Sequence, residues 1–197
     1  MKILKIAFSL ILITIFFTSC SNSDDSEFYN LENREVVYVD DDKVTYEVGE
    51  TLWINMKVES KQNDDKSDKE IDIYDLTKAL ETFYGFSVFL TEDDNFSPVT
   101  FKQENIVEEI GKLNLAVNTV PEDSELLGVA IYNDGSYILR VGIKLDKVGN
   151  YFIANAGLGL GEQILTFNPT NGKDVQINFH TKIKNSDTDG RFYFTVK

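Results

Sequence analysis

The stretch Thr51–Glu59, with the sequence TLWINMKVE, alternates apolar and polar side chains along its whole length. Its apolar side consists of four residues, Leu52, Ile54, Met56 and Val58. Its other side is polar except for one indole and consists of Thr51, Trp53, Asn55, Lys57 and Glu59. Because successive side chains of a strand point to opposite faces of a sheet, this pattern predicts a strand with one buried face.

The same alternation recurs in three later segments, Tyr137–Leu145, Val175–Ile183 and Phe192–Val196. Strands of this kind place one face on a core and the other in water, as antiparallel sheets do. Turn-forming residues separate them, in the clusters Asn133-Asp134-Gly135, Val148-Gly149-Asn150, Pro169–Gly172 and Asp187–Gly190. The sequence therefore predicts an all-β fold, an antiparallel β-sandwich of the Ig-like or jelly-roll-like kind.

Two segments interrupt the strand pattern. Lys61–Glu70 is highly charged and is predicted to be a loop. Asp72–Phe83 has apolar residues at helical spacing, which predicts one short helical insertion across an end of the sandwich. No Pro-rich or Gly/Ser-rich linker divides the remainder, so we expect residues 35–197 to form a single domain.

The N-terminus has the composition of a secretory signal peptide. Lys2 and Lys5 precede an apolar run, Ile6–Phe17, and two small polar residues then lead to Cys20, the only cysteine of the chain. This pattern predicts a signal peptide over residues 1–19 and cleavage just before Cys20. Cleavage at another small residue is the alternative, and it would leave Cys20 as an unpaired thiol in an oxidising compartment.

The segment Phe17–Cys20 resembles a bacterial lipobox, and Ser23-Asp24-Asp25 resembles the acidic export signal of Bacteroidetes-type surface lipoproteins. The resemblance implies that Cys20 carries lipid chains such as diacylglycerol and palmitate. It also implies an outer-membrane location facing the cell exterior, and a β-sandwich of that lipoprotein type without an assigned activity. Residues 20–34 would be the lipidated flexible tether, because their polar, acidic start cannot repay ordering by burial. A plain linker is the alternative.

The charge of the chain excludes some classes of partner. It has 19 Lys and Arg against 33 Asp and Glu, a formal net charge of −14, which becomes −16 when Lys2 and Lys5 leave with the signal peptide. Nucleic acid is therefore excluded as a partner, since phosphates are bound by clustered cations. Attachment to a membrane would depend on lipid rather than on charge.

The sequence contains few candidates for catalysis. His180, the only histidine, is predicted to lie on the outward face of its strand, which argues against a serine–histidine or zinc hydrolase. Gly157–Gly161 lacks the continuation of a phosphate-binding loop and fits a hairpin or bulge. A pair of carboxylates stays possible, because a glycosidase needs only two at a set separation. We expect a protein that is not an enzyme.

One acidic turn is a candidate calcium site. Asn185, Asp187 and Asp189 place oxygen-bearing side chains at alternate positions before Gly190, as an EF-hand loop begins. The twelfth position is Val196, where an EF-hand requires a bidentate Glu, and the flanks are strands. Solvated turns are the alternative. Other oxygen-rich turns could join the site, at Asp40-Asp41-Asp42, Asp64-Asp65 and Asp93-Asp94-Asn95.

Two aromatic side chains are candidates for ligand binding. Trp53 and Tyr193 fall on the polar sides of their strands, where an exposed ring can stack on a sugar or contact another protein. The alternative for Trp53 is burial beneath the predicted helix Asp72–Phe83.

Taken together, these features predict a membrane-anchored, cell-surface-exposed lipoprotein that acts as a non-enzymatic binding or structural module. Its ligand would be a glycan or a protein. Two other functions are consistent with the sequence: a carboxylate-dependent glycan hydrolase and a calcium-dependent carbohydrate-binding or adhesion module.

Overall fold

The computed structural model describes residues 27–64, 67, 69–93, 95–116, 124–155 and 162–197. The predicted signal peptide, Cys20 and the first part of the predicted tether lie outside the described residues. So does the glycine-rich stretch Gly157–Gly161.

The described part of the chain is built almost entirely from strands. In chain order they are β1 (Glu27–Glu32), β2 (Val37–Val39), β3 (Thr45–Tyr46), β4 (Thr51–Glu59), β5 (Lys61–Asn63), β6 (Glu70–Asp72), β7 (Glu81–Glu92), β8 (Asn95–Pro98), β9 (Ile106–Ile110), β10 (Lys112–Leu115), β11 (Glu125–Asn133), β12 (Ser136–Lys144), β13 (Gly149–Asn155), β14 (Gln163–Thr166), β15 (Val175–Thr181) and β16 (Phe192–Val196). One helix, α1 (Ile73–Thr77), lies between β6 and β7, and Asp40–Asp42 and Gln103–Asn105 form short 3₁₀ turns.

The strands form two layers that are joined at the β11–β12 hairpin. Beyond the hairpin, β12 pairs with β9 on one edge and with β4 on the other, whereas β11 pairs with β7. We call the layer β2-β4-β12-β9 the front sheet and the layer β11-β7-β13-β16-β3 the back sheet. A third sheet, β1-β15-β14, lies at one side, where Thr82 of β7 donates a hydrogen bond to the carbonyl of Thr166. The fold is a β-sandwich.

The core between the layers agrees with the predicted alternation. The apolar residues of β4, from Leu52 to Val58, are at most 2% exposed. They belong to one cluster with back-sheet residues such as Tyr84, Phe86, Ile153 and Phe194. The apolar sides of β12, β15 and β16 are buried in the same cluster, so the two-residue period identified the inward faces correctly.

The turn between β11 and β12 has the geometry that its residues predict. Asp134 and Gly135 both adopt positive φ angles, 46° and 85°. This is the backbone of a two-residue hairpin turn, in which Asp and Gly are favoured at those positions.

The predicted helix is shorter than the pattern suggested. Asp72 caps α1 by accepting a hydrogen bond from the Asp75 amide, and the helix ends at Lys78, whose φ is 53°. From Glu81 onward the chain is the strand β7, which pairs with β11. The spacing of Leu80 and Phe83 suits a helix, but the buried residues Tyr84, Phe86 and Val88 alternate, and pairing within the sheet prevails.

Three other expectations need correction. The predicted loop Lys61–Glu70 contains a short antiparallel pair, β5 with β6. The predicted tether includes β1, which pairs with β15, so residues before 35 belong to the folded domain. The β1–β15 and β3–β16 pairs are parallel, in a sandwich that is otherwise antiparallel between its named strands.

One end of the sandwich, which we call the α1 end, lies beside the helix. There, the amide of Tyr74 in α1 donates to Ser60 Oγ just after β4. The side chain of Asn171 donates to the carbonyl of Leu76, and the amide of Glu27 donates to the carbonyl of Asp174. The start of β1 therefore lies where β4 ends.

No helix in the described residues is long and apolar enough to span a bilayer.

Candidate functional site

Trp53 lies on the outer face of the front sheet, on the side of β4 that the sequence assigned to it. Its partner across the sheet is Gly142 of β12. A Cβ atom on Gly142 would lie 3.0 Å from Trp53 Cε3 and would also collide with the Thr51 methyl group. The glycine therefore leaves the space in which the indole rests against the sheet. The alternative for Trp53, burial beneath the predicted helix, is wrong, because α1 lies at the far end of β4.

Arg140 holds the indole from the neighbouring position of β12. Its guanidinium carbon lies 4.6 Å from the centre of the Trp53 ring, a cation–π distance. Arg140 Nη1 donates to Asp40 Oδ1 at 2.8 Å and to Asn55 Oδ1 at 2.9 Å, and Nε donates to Glu109 Oε2 at 2.9 Å. Asn55, which is buried, in turn donates to Asp40 Oδ1 at 2.6 Å. Hydrogen bonding to Asp40 raises the pKa of Arg140 further.

A cleft of about 430 Å³ opens beside the indole. Its lining includes Trp53, Tyr46, Asp40, Asp41, Glu50 and Lys43. We call it the Trp53 cleft. Its volume falls in the range of small-molecule sites, roughly 300–1,000 Å³.

The electrostatics of the cleft are set by carboxylates and by one lysine. Lys43 Nζ donates to both oxygens of Glu50, at 2.8 and 2.9 Å, and lies 4.8 Å from the centre of the Tyr46 ring. The hydrogen bond from Lys43 lowers the pKa of Glu50. Burial, and then the negative charges of Asp40 and Glu50, raise the pKa of Tyr46. The lining of the cleft therefore includes three carboxylates and one lysine.

The edge of the cleft has an unusual backbone. Asp41 and Asp42, which follow β2, both have positive φ angles, 53° and 49°. Consecutive left-handed residues are uncommon outside glycine, although Asp tolerates the conformation better than most side chains. The turn holds Asp40 against Arg140 and places Asp41 in the lining.

Tyr193 lies on the outer face of the back sheet, within a second group of aromatic side chains. We call this group the Tyr193 strip; it consists of Tyr193, Phe152, Phe89, Phe96 and Arg191. Phe152 stacks on Phe89 at 4.9 Å, and Arg191 lies 5.2 Å from the Phe152 ring. Phe96 and Tyr193 are 45% and 48% exposed, but Phe152 is only 2% exposed. The strip is therefore a small hydrophobic cluster in which Phe152 is buried, while Phe96 and Tyr193 at its edge are exposed.

The acidic turn that was predicted as a calcium site is organised by its own hydrogen bonds. Asp187 Oδ1 accepts from the amides of Asp189 and Arg191, at 2.9 and 2.8 Å, and Asn185 adopts a φ of 60°. Such bonds are the reason that Asp and Asn favour turns. Among the described residues, no three His, Cys, Asp or Glu side chains are grouped so that they could hold a metal ion. Calcium binding through Asn185, Asp187 and Asp189 stays a prediction.

His180 lies on the outward face of β15, as the alternation predicts, and is half-buried. Its Nδ1 atom is 3.7 Å from Glu162 Oε2. Its immediate charged partner is thus a single carboxylate at the edge of the β14–β15 pair.

No protein-family model and no curated protein matches the chain. Solved structures that are similar to it include the following three. One is a type II cohesin dyad from the adaptor ScaA scaffoldin of Acetivibrio cellulolyticus, at 10% identity and a TM-score of 0.38, covering 85% of this chain and 48% of that one. The Reelin-N domain of F-spondin has 8% identity and a TM-score of 0.33, covering 90% and 98% of the two chains. The human F-spondin reeler domain has 7% identity and a TM-score of 0.32, covering 90% and 100%.

Proposed function

We propose that the chain is a lipid-anchored binding module, displayed on the outer surface of a bacterial outer membrane, with the Trp53 cleft as its ligand site. The observation that carries the binding part is the cleft itself. An indole held by Arg140 faces a cavity of about 430 Å³ among carboxylates. Concave sites with an aromatic surface and a few fixed polar groups are typical of ligand pockets.

The anchoring part of the proposal rests on the N-terminal sequence. Lipid on Cys20 would hold the protein at a membrane, since each buried methylene contributes about 0.8 kcal/mol and two or more chains make attachment stable. Six residues separate Cys20 from the start of β1 at Glu27. A chain of that length extends at most about 25 Å, so the domain would stay close to the bilayer.

The geometry of the cleft favours binding over hydrolysis. A glycosidase needs one carboxyl group whose pKa is raised, so that it can donate a proton. The pKa of Glu50 is lowered by Lys43 instead. Both oxygens of Asp40 lie within 2.8 Å of Arg140 Nη1, so this carboxylate serves to position the guanidinium.

The binding part can be tested with the protein's own fluorescence, because Trp53 is the only tryptophan of the chain. The full chain in detergent would be applied to glycan and peptide arrays, and the ligands found would be titrated with calcium and with a chelator. Indole emission would report binding to proteins that retain Trp53, and calorimetry would report binding to the Trp53 variants. We expect binding that Trp53→Ala abolishes and Trp53→Phe partly restores. Tyr193→Ala is the matched control, an exposed aromatic residue on the other sheet, and should bind normally.

Three outcomes would contradict the binding proposal. Ligand binding that is indifferent to Trp53→Ala would remove the cleft from consideration. Cleavage of a glycan that is lost in Glu50→Gln would favour the hydrolase instead. Binding that needs calcium and fails in Asp187→Asn would favour the calcium-dependent alternative.

The anchor requires a separate experiment in cells. Mass spectrometry of the native protein should find acyl chains on Cys20, and the Cys20→Ala variant should leave the membrane fraction, whereas Ser21→Ala should remain there. Protease added to intact cells should digest the domain if it faces the exterior. A bare thiol, or membrane retention of Cys20→Ala, would refute the anchor.

A further inference from the structure

The indole of Trp53 is an aromatic part of the cleft lining, with Arg140 over its ring. One pyranose face exposes mainly C–H groups, and such a face packs well on an aromatic ring. Because Arg140 fixes the ring from a hydrogen-bonded position, little side-chain entropy would be lost when a ligand stacks on it. The aromatic half of the cleft therefore suits a sugar ring.

The polar half of the cleft consists mainly of hydrogen-bond acceptors. Asp40, Asp41 and Glu50 all line it, and ionised carboxylates only accept hydrogen bonds. Since the pKa of Glu50 is lowered, its carboxylate stays ionised at neutral pH. Sugar hydroxyl groups are donors as well as acceptors, so they complement this lining, and charge-assisted bonds of this type are strong.

The cations at the cleft are already committed to protein partners. Lys43 is bound by both oxygens of Glu50, and Arg140 is shared among Asp40, Asn55 and Glu109. A ligand carboxylate would have to displace one of these pairs. It would also approach the charges of Asp40 and Asp41, in a protein whose formal net charge is −14. The lining therefore disfavours an anion by repulsion.

These features together determine the ligand class, and the inference rests on the proposed function. We infer that the Trp53 cleft binds a neutral saccharide ring and discriminates against sugars that carry a carboxylate. Stacking on the indole would supply contact area, hydroxyl groups would donate to the carboxylates, and the excess of carboxylates over lysine in the lining would supply the discrimination.

The test uses sugars that differ only in charge. Neutral oligosaccharides of glucose, mannose and galactose would be compared with the corresponding uronates, in which each C6 hydroxymethyl group is a carboxylate. Binding to the full chain in detergent would be followed by Trp53 emission and by calorimetry. We expect at least one neutral series to bind through Trp53, and its uronate to bind at least tenfold more weakly. The ratio should shrink as salt screens the charges.

Two variants test whether the charge of the cleft lining causes the weaker binding of uronates. Asp41→Asn removes one charge from the lining and keeps a side chain that tolerates the positive φ of that position, so it should reduce the neutral-to-uronate ratio. Asp93→Asn is the matched control, because Asp93 is an exposed acid with positive φ in the β7–β8 turn, outside the lining. It should leave the ratio unchanged.

The outcomes separate this inference from the proposed function. Uronates that bind through Trp53 as tightly as the neutral sugars would overturn the ligand class and leave the binding module standing. Failure of every sugar would also overturn it, while a peptide whose binding requires Trp53 would still support a binding module. If no ligand requires Trp53, both proposals fail.

Discussion

The Trp53 cleft and the Tyr193 strip both contain an arginine over an aromatic ring, but the surroundings of the two rings differ. In each, an arginine lies over an aromatic ring on the outer face of a sheet: Arg140 at 4.6 Å from Trp53, and Arg191 at 5.2 Å from Phe152. In the cleft, carboxylates and Asn55 hold the arginine and the ring lines a cavity. In the strip, the ring beneath the arginine is almost fully buried against Phe89.

The difference shows that an arginine on an aromatic ring does not by itself define a binding site. Phe89, Phe152 and Ala154 form a hydrophobic cluster separate from the main core, and Arg191 and Phe96 help to cover it. The strip therefore contributes mainly to stability. In the cleft, the ring borders open space and acceptors, and this is why we propose the cleft as the ligand site.

The largest expected effect is that of Phe152→Ala, which tests the structural role of the strip. Truncating a buried phenylalanine should lower the free energy of unfolding by about 3–5 kcal/mol. Trp53→Ala should cost less, because that ring is only partly buried. Urea denaturation of both variants would measure the order. A Trp53→Ala variant that is less stable than Phe152→Ala would break the comparison.

The next effect compares the two arginines. Arg140→Ala would leave the buried Asn55 and the half-buried Asp40 without their shared donor, at a cost of about 1–3 kcal/mol in unfolding free energy. Arg191→Ala should cost about 0.5–1 kcal/mol, the usual scale of an exposed cation–π contact. Arg140→Lys should restore stability only in part, since lysine lacks the fork that contacts three partners. Equal effects of the two alanine variants, by urea midpoint, would show that the network around Arg140 adds nothing.

Gly142→Ala tests whether the space left by this glycine positions the Trp53 indole. The added methyl group meets the Thr51 side chain and the edge of the Trp53 ring, and overpacking of this kind costs about 1–3 kcal/mol. We expect a shift of indole emission and weaker ligand binding. Adding Thr51→Ser, which removes the methyl group in the way, should recover part of both. Unchanged emission in Gly142→Ala would mean that the glycine does not position the indole.

The smallest effect concerns pH. The folded-state pKa of Glu50 is lowered from its ordinary value of 4.5, mainly by Lys43, so the ionised carboxylate stabilises the fold. This contribution is complete above pH 4.5 and is lost as the pH falls below it, through the folded-state pKa. Glu50→Gln should therefore flatten the acid side of the stability profile, measured by urea midpoints across that range. Ligand binding should weaken over the same range, and an identical profile in the variant would contradict this role.

The inward faces of the strands were predictable because the two-residue period is local. Trp53 was placed on the outer face for the same reason. The network around it was not predictable, because Arg140 lies 85 residues from Asn55 and 100 residues from Asp40 along the chain. The register of β4 against β12 brings Arg140 to Asn55, and that of β2 against β4 adds Asp40. Alternation alone does not fix which strands pair.

The misread elements have equally specific physical causes. The helix from Asp72 was overextended because Leu80 and Phe83 satisfy helical spacing while Tyr84, Phe86 and Val88 satisfy strand spacing, and pairing with β11 decided between them. In the acidic turn, the same spacing also suits a turn held by hydrogen bonds to Asp187, and calcium binding there stays a prediction. Local sequence patterns identify the buried face of a strand and the positions of turns. Pairing with a strand distant in sequence decides whether an ambiguous segment becomes a helix or a strand.

The position of β1 has a practical consequence for how the molecule can be attached. The strand begins at the α1 end, beside the last residues of β4, whereas Trp53 lies near the first residues of β4. The nine residues of β4 span roughly 26 Å, so the start of β1 and the Trp53 cleft lie toward opposite ends of the sandwich. Any coupling on the N-terminal side of Glu27, whether a fatty acid, a bead or a sensor chip, would attach the molecule at the end opposite the cleft.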